Sequence, residues 1–245
     1  MEQMIAIDTA DGPMQTFVAL PDTTDRAAAL IVVQEAFGVN SHIKNVCRRI
    51  AAAGYAAFAP ELFHRLGDGV DLPYDDLAKV MPAFVTLTND TLLTDVTATL
   101  AATRAHPRVD AARVGVIGFC VGGFTAFLSA EKTDVTASVV FYGGGIVHER
   151  PGIALKPLLD DVDGIASPML LVFGGEDQSI PSADIDAIQE RLANAGKAHT
   201  IVVMPAAGHG FACDERAAFH QPSNDDAWRI TFEWLNRHLR QKGHG

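Results

Sequence analysis

One cysteine, one aspartate and one histidine in this chain have neighbours that suit acyl-transfer chemistry. Gly118-Phe119-Cys120-Val121-Gly122-Gly123 sets a thiol among small residues. A nucleophile held on a sharp strand-to-helix turn projects from the sheet, and such a turn needs small flanking residues. The N–H of Val121, at the start of the helix that would follow, can hold an oxyanion. A thiol attacks as its thiolate, so it needs a base, and the base needs an orienting carboxylate. Asp177 lies in Gly174-Gly175-Glu176-Asp177-Gln178-Ser179-Ile180-Pro181, and His209 in Ala207-Gly208-His209-Gly210-Phe211.

Each assignment has a plainer rival. Free cysteines are usually buried and inert, and glycines can serve close packing alone; here the flanking glycines at a strand–helix junction favour the exposed thiol. Glu176 competes with Asp177 as the carboxylate, and either could be an ordinary turn residue. Of the nine histidines, His209 alone sits in a glycine-rich loop directly after an apolar run. His42, His64, His106, His148, His199, His220, His238 and His244 read as surface or loop residues.

The elements that would position these groups alternate between short branched runs and longer helical patterns, the mark of parallel βαβ units. Ala28–Val33, Tyr55–Ala59, Val114–Gly118, Ser138–Tyr142, Met169–Phe173 and Thr200–Met204 read as strands. Ile43, Val46, Ile50 and Ala53 trace a helix closed by Gly54, and further helices are expected over Asp90–Ala105, Phe124–Ala130, Ile185–Ala195 and Asp225–Leu239. Ile5–Ile7 and Met14–Leu20 suggest an antiparallel hairpin turned by Asp11-Gly12. Glu61–Asp76 is a long irregular stretch expected to lie over the site. Cys120, Asp177 and His209 all follow the carboxyl ends of strands, in the order nucleophile, acid, histidine. That order and the strand–turn–helix context predict an α/β-hydrolase fold, with a mostly parallel central sheet flanked by helices on both faces. In that fold, the place of Asp177 four residues before Pro181 favours it over Glu176. With no repeat or linker composition, residues 1–245 are expected to form a single domain.

Composition sets the surroundings. The formal charge of −11 carries no basic patch for nucleic acid, and no run approaches the ~20 apolar residues of a membrane helix. The first residues lack a basic-then-apolar leader pattern, and Cys47, Cys120 and Cys213 are too few and too scattered for a disulfide framework. A cytoplasmic protein is expected. No His, Asp or Glu spacing suggests a metal site, and the glycine-rich motif belongs to the elbow, so neither metal nor organic cofactor is expected. Nothing in the sequence decides between monomer and homodimer.

Four segments together resemble the dienelactone hydrolase (carboxymethylenebutenolidase) family: Gln34-Glu35-Ala36-Phe37-Gly38-Val39-Asn40, the Cys120 elbow, Glu176-Asp177 and Ala207–Phe211. The likeness runs from Leu30 to the closing helix. It implies a cysteine hydrolase that opens a lactone or activated ester through a Cys120–His209–Asp177 triad and a thioester. It gives Glu35 a role that bare sequence would leave as a loop carboxylate: interacting with the resting thiol and helping to deprotonate it. It also adds the N–H of Ala36 to that of Val121 in the oxyanion hole. Phe37 and Phe211, with Phe63 and Phe84, could line a lipophilic pocket. The family grips a substrate carboxylate with arginines, one of them four residues after the histidine. Cys213 stands there instead, and Tyr74–Met81 holds no arginine, leaving Arg65 or Lys79 as stand-ins. The alternatives are a general carboxylesterase or thioesterase, a non-catalytic binding protein, or a redox-sensing thiol protein pairing Cys120 with Cys213.

Overall fold

The computed structural model describes residues 1–240. Its strands are β1 (Glu2–Thr9), β2 (Gly12–Ala19), β3 (Ala27–Val33), β4 (Ala56–Pro60), β5 (Val109–Phe119), β6 (Ser138–Phe141), β7 (Met169–Gly174) and β8 (His199–Met204). They form one sheet in the order β1-β2-β4-β3-β5-β6-β7-β8. The pairs β1·β2 and β2·β4 are antiparallel, and every pairing from β4 to β8 is parallel. β3, β6 and β7 are buried along their whole length, which is why each reads as an unbroken apolar run instead of an alternation.

The helices are α1 (Ser41–Ala52), α2 (Leu77–Phe84), α3 (Asn89–Ala105), α4 (Val121–Lys132), α5 (Ser182–Asn194) and α6 (Gln221–Leu235). The chain moves from β3 to β4 in one direction, then crosses back over β3 to β5. Right-handed crossovers therefore place α1 and α3 on opposite faces. α6 shares the α1 face, with the Arg49 guanidinium 5.0 Å from the Trp228 ring centre. The fold is that of an α/β-hydrolase. The reversal between β3 and β5 opens a crevice at their carboxyl ends, and that crevice receives both Glu35 and Cys120.

Three expectations need correction. α2 was not expected at all: the irregular stretch ends at Asp76, and a short helix follows over Leu77–Phe84 with Pro82 inside it. The closing helix starts at Gln221 and gives way to a π-turn over Asn236–Arg240. His42 and His64 are buried, not surface residues, while His244 lies outside the described residues. No helix among the described residues is long and apolar enough to cross a membrane.

Candidate active site

Cys120 occupies a left-handed backbone position, φ 56° and ψ −115°, between β5 and α4. Such a conformation is costly for a residue with a side chain and persists only where its surroundings enforce it. The glycines supply that enforcement. A Cβ on Gly118 would stand 1.8 Å from the carbonyl oxygen of Gly122, and one on Gly122 would stand 2.2 Å from that of Val33. Cys120 is partly exposed, and Val121 opens α4, so its first-turn N–H has no intrahelical acceptor. The N–H of Ala36 has none either among the described residues.

His209 Nδ1 donates to Asp177 Oδ2 at 2.7 Å, and Asp177 Oδ1 accepts from the Ser179 N–H at 2.7 Å. The Asp177 side chain is fully buried, whereas Glu176 is exposed, so Asp177 is the carboxylate that faces the imidazole. The two loops are tied to each other: Glu176 N–H donates to Ala207 O at 2.9 Å, and a Cβ on Gly174 would lie 2.3 Å from the same oxygen. Burial lowers the pKa of His209, but the negative charge of Cys120 and the bond to Asp177 outweigh it and raise it to about 10. His209 is therefore disposed toward the imidazolium form.

The segment Gln34–Asn40 is built to hold Glu35. Gln34 accepts from the Leu62 N–H and donates to Glu35 O, both at 3.1 Å. Asn40 caps α1 through Ile43 N–H at 3.2 Å and donates to Tyr74 Oη at 2.7 Å. Gly38 has φ 93°, and a Cβ there would meet Val70 O at 1.9 Å, so the long stretch before α2 does pack onto this segment. Glu35 itself is buried, with Oε1 accepting from Arg216 Nη1 at 3.2 Å.

Arg216 is the site residue that spacing missed. It lies seven positions beyond His209, and its guanidinium folds back over Gly210, where a Cβ would be 2.1 Å from Nη1. It also stacks on Phe37, 5.2 Å from the ring centre. The signal available in sequence was a lone cation in the run Asp214-Glu215-Arg216 after the histidine loop.

The expected substrate contacts fare differently. Phe37 is buried between Tyr74 and Arg216. Phe211 is fully buried against Phe141 and Tyr142 and supports the His209 loop from beneath. Arg65 is engaged elsewhere, donating to Asp95 at 2.8 and 2.9 Å and to Asp11 at 2.6 and 2.9 Å. Its guanidinium is already committed to fastening two surface turns to α3. What does open beside Cys120 is a shallow pocket walled by Phe84, Val121, Ile153 and Leu155, with Arg150 and His148 on its lining.

The model of the family described as "Dienelactone hydrolase family" matches residues 14–239. The chain belongs to the dienelactone hydrolase family. A Synechocystis sp. protein named "Putative carboxymethylenebutenolidase" is 36% identical over 241 residues, covering 97% of each chain. A Bradyrhizobium sp. protein named "Probable 2-oxo-3-(5-oxofuran-2-ylidene)propanoate lactonase" is 32% identical, covering 91% of this chain and 89% of its own. A crystal structure from Klebsiella pneumoniae, described as a "Putative Dienelactone Hydrolase", superposes with a TM-score of 0.88 at 32% identity, covering 97% of this chain and 98% of the other. In this dienelactone hydrolase family member a buried thiol, Cys213, stands four residues after His209. The cation beside Glu35 is Arg216.

Proposed function

We propose that the chain is a cysteine hydrolase that opens carboxylate-bearing enol lactones or similarly activated esters by two-step acyl transfer. The observation that carries this reading is the strained elbow of Cys120 beside a His209 already bonded to Asp177. The Cys120 thiolate attacks the carbonyl carbon, and the N–H groups of Ala36 and Val121 hold the developing oxyanion. The enol oxygen leaves as a stabilised enolate that takes the proton from the His209 imidazolium, and the acyl group remains as a thioester on Sγ beside the now neutral imidazole. His209, held by Asp177, then takes a proton from water, whose oxygen attacks the thioester and releases the acid and the thiolate. A thiolate is itself a good leaving group, so alkyl esters and amides, with poorer ones, react slowly.

Arg216 supplies the cation for the substrate carboxylate. It is shared with Glu35, so an arriving carboxylate competes for the guanidinium and frees Glu35 to act on the thiol. A second reading, hydrolysis of uncharged esters, draws on the mainly apolar pocket walled by Phe84, Ile153 and Leu155. Turnover of a carboxylated enol lactone and of a neutral enol ester, by wild type and Cys120→Ala, separates the two. Cysteine-dependent turnover that favours the carboxylate supports the proposal. Cysteine-dependent turnover of the neutral ester alone supports the second reading, and undiminished activity in Cys120→Ala refutes both.

A further inference from the structure

Glu35 has a second, unexplained side. Its Oε2 is buried with no hydrogen-bond partner among the described residues, and so is Nε2 of the buried His42. The other ring nitrogen of His42 contacts Asp214 Oδ1 at 3.2 Å. A carboxylate only accepts, so Nδ1 carries a hydrogen toward Asp214, and Nε2 faces Glu35 and Cys213 without a partner among the described residues. Cys213, fully buried, completes the group: one donor atom from each of Glu35, His42 and Cys213 lies within 4.8 Å of the other two. Its thiol meets Tyr74 Oη at 3.5 Å. Buried polar atoms facing one another without partners are costly, and a metal ion bound between them would relieve that cost.

We propose that Glu35, His42 and Cys213 form a binding site for a divalent metal ion of borderline softness, zinc foremost. A carboxylate oxygen, an imidazole nitrogen and a thiolate are a zinc donor set, and three protein ligands leave a fourth position for water. The Asp214–His42 contact is the outer carboxylate that commonly orients a ligating imidazole. Tetrahedral zinc holds such donors roughly 3.3–3.7 Å apart, so the set closes on the ion by a shift of about 1 Å. On binding, Cys213 gives its thiol proton to solvent and the thiolate bonds to the metal. Glu35 remains bidentate in function, Oε1 to Arg216 and Oε2 to the ion. Sequence spacing gave no hint of this group, because its members come from the β3 loop, from α1 and from the loop after His209.

One consequence rests on the hydrolase reading: an ion that fixes Glu35 keeps it from the Cys120 thiol, so the loaded protein turns over slowly. The test is titration of the metal-free protein with Co²⁺, following the near-ultraviolet thiolate-to-cobalt absorption, then displacement by Zn²⁺. The expected result is saturation at one equivalent, with the band kept in Cys120→Ala, lost in Cys213→Ala, and bound at least tenfold more weakly in His42→Gln. No saturable band overturns the site. A band lost in Cys120→Ala yet kept in Cys213→Ala also overturns it, placing the metal on the reactive thiol. Circular dichroism of each variant checks that the fold is intact, and His42→Gln decides the question if Cys213→Ala fails to fold. Esterase activity, read separately, isolates the consequence: zinc binding without inhibition refutes the coupling through Glu35, whereas a metal-free protein inactive on every ester refutes the hydrolase reading and leaves the site untouched.

Discussion

Two buried carboxylates flank the elbow, and they are held in opposite ways. Asp177 has both oxygens occupied, one by His209 and one by the Ser179 amide, in a loop laced to its neighbour. Glu35 has one oxygen on Arg216 and the other without a hydrogen-bond partner among the described residues. A fully satisfied carboxylate has a single low-energy arrangement; a half-satisfied one is ready to exchange partners. The rigid side suits orientation of a base. The unsatisfied side suits a group that must move during turnover.

The sharpest way to break this comparison is to remove charge from the rigid side. Asp177→Asn retains the shape but favours the wrong imidazole tautomer, and kcat is expected to fall about 10⁴-fold; a loss under tenfold in steady-state hydrolysis would contradict the assignment. Next in size is the charge on His209. Its imidazole should titrate near pH 10 in wild type and fall back toward 6.5 in Cys120→Ala, read by NMR. The sign is that of a raised pKa: the stability gained from the imidazolium is complete below pH 6.5 and is lost as pH rises through about 10.

On the exchangeable side, Arg216→Met should raise KM for a carboxylated substrate by about 10–100-fold, the equivalent of one charge-assisted hydrogen bond, and leave a neutral ester nearly unaffected. Equal losses on both substrates would show that Arg216 only positions Glu35. The smallest effect is expected from Tyr74→Phe, which removes the acceptor of the Asn40 amide. It should cost about 1 kcal/mol in denaturant unfolding, with kcat little changed.

What the sequence made legible follows the same division. The strands at 28–33, 138–142 and 169–173 stood out because burial on both faces leaves an uninterrupted apolar signal. Cys120, Asp177 and His209 stood out because local glycines and strand ends mark them. Arg216, His42 and Cys213 did not, because what brings them to Glu35 is the tertiary course of the chain. Arg216 returns over Gly210, and His42 is turned inward by a helix whose cap, Asn40, is tied to Tyr74. Fixed offsets from the histidine cannot reveal a cation that arrives three residues later by another path. α2 was hidden for a simpler reason, since Pro82 masks a short helix from any propensity reading.

The elbow also bears on how such a protein can change its chemistry over generations. The torsional cost at Cys120 is borne by the main chain, and the glycine contacts that enforce it never touch the sulfur. A serine in the same slot would inherit the same backbone and the same neighbours, differing by one atom that a single codon substitution supplies. Cysteine and serine are therefore mutational neighbours at this slot, because the strain and the contacts that enforce it depend on the backbone and not on the atom at the γ position.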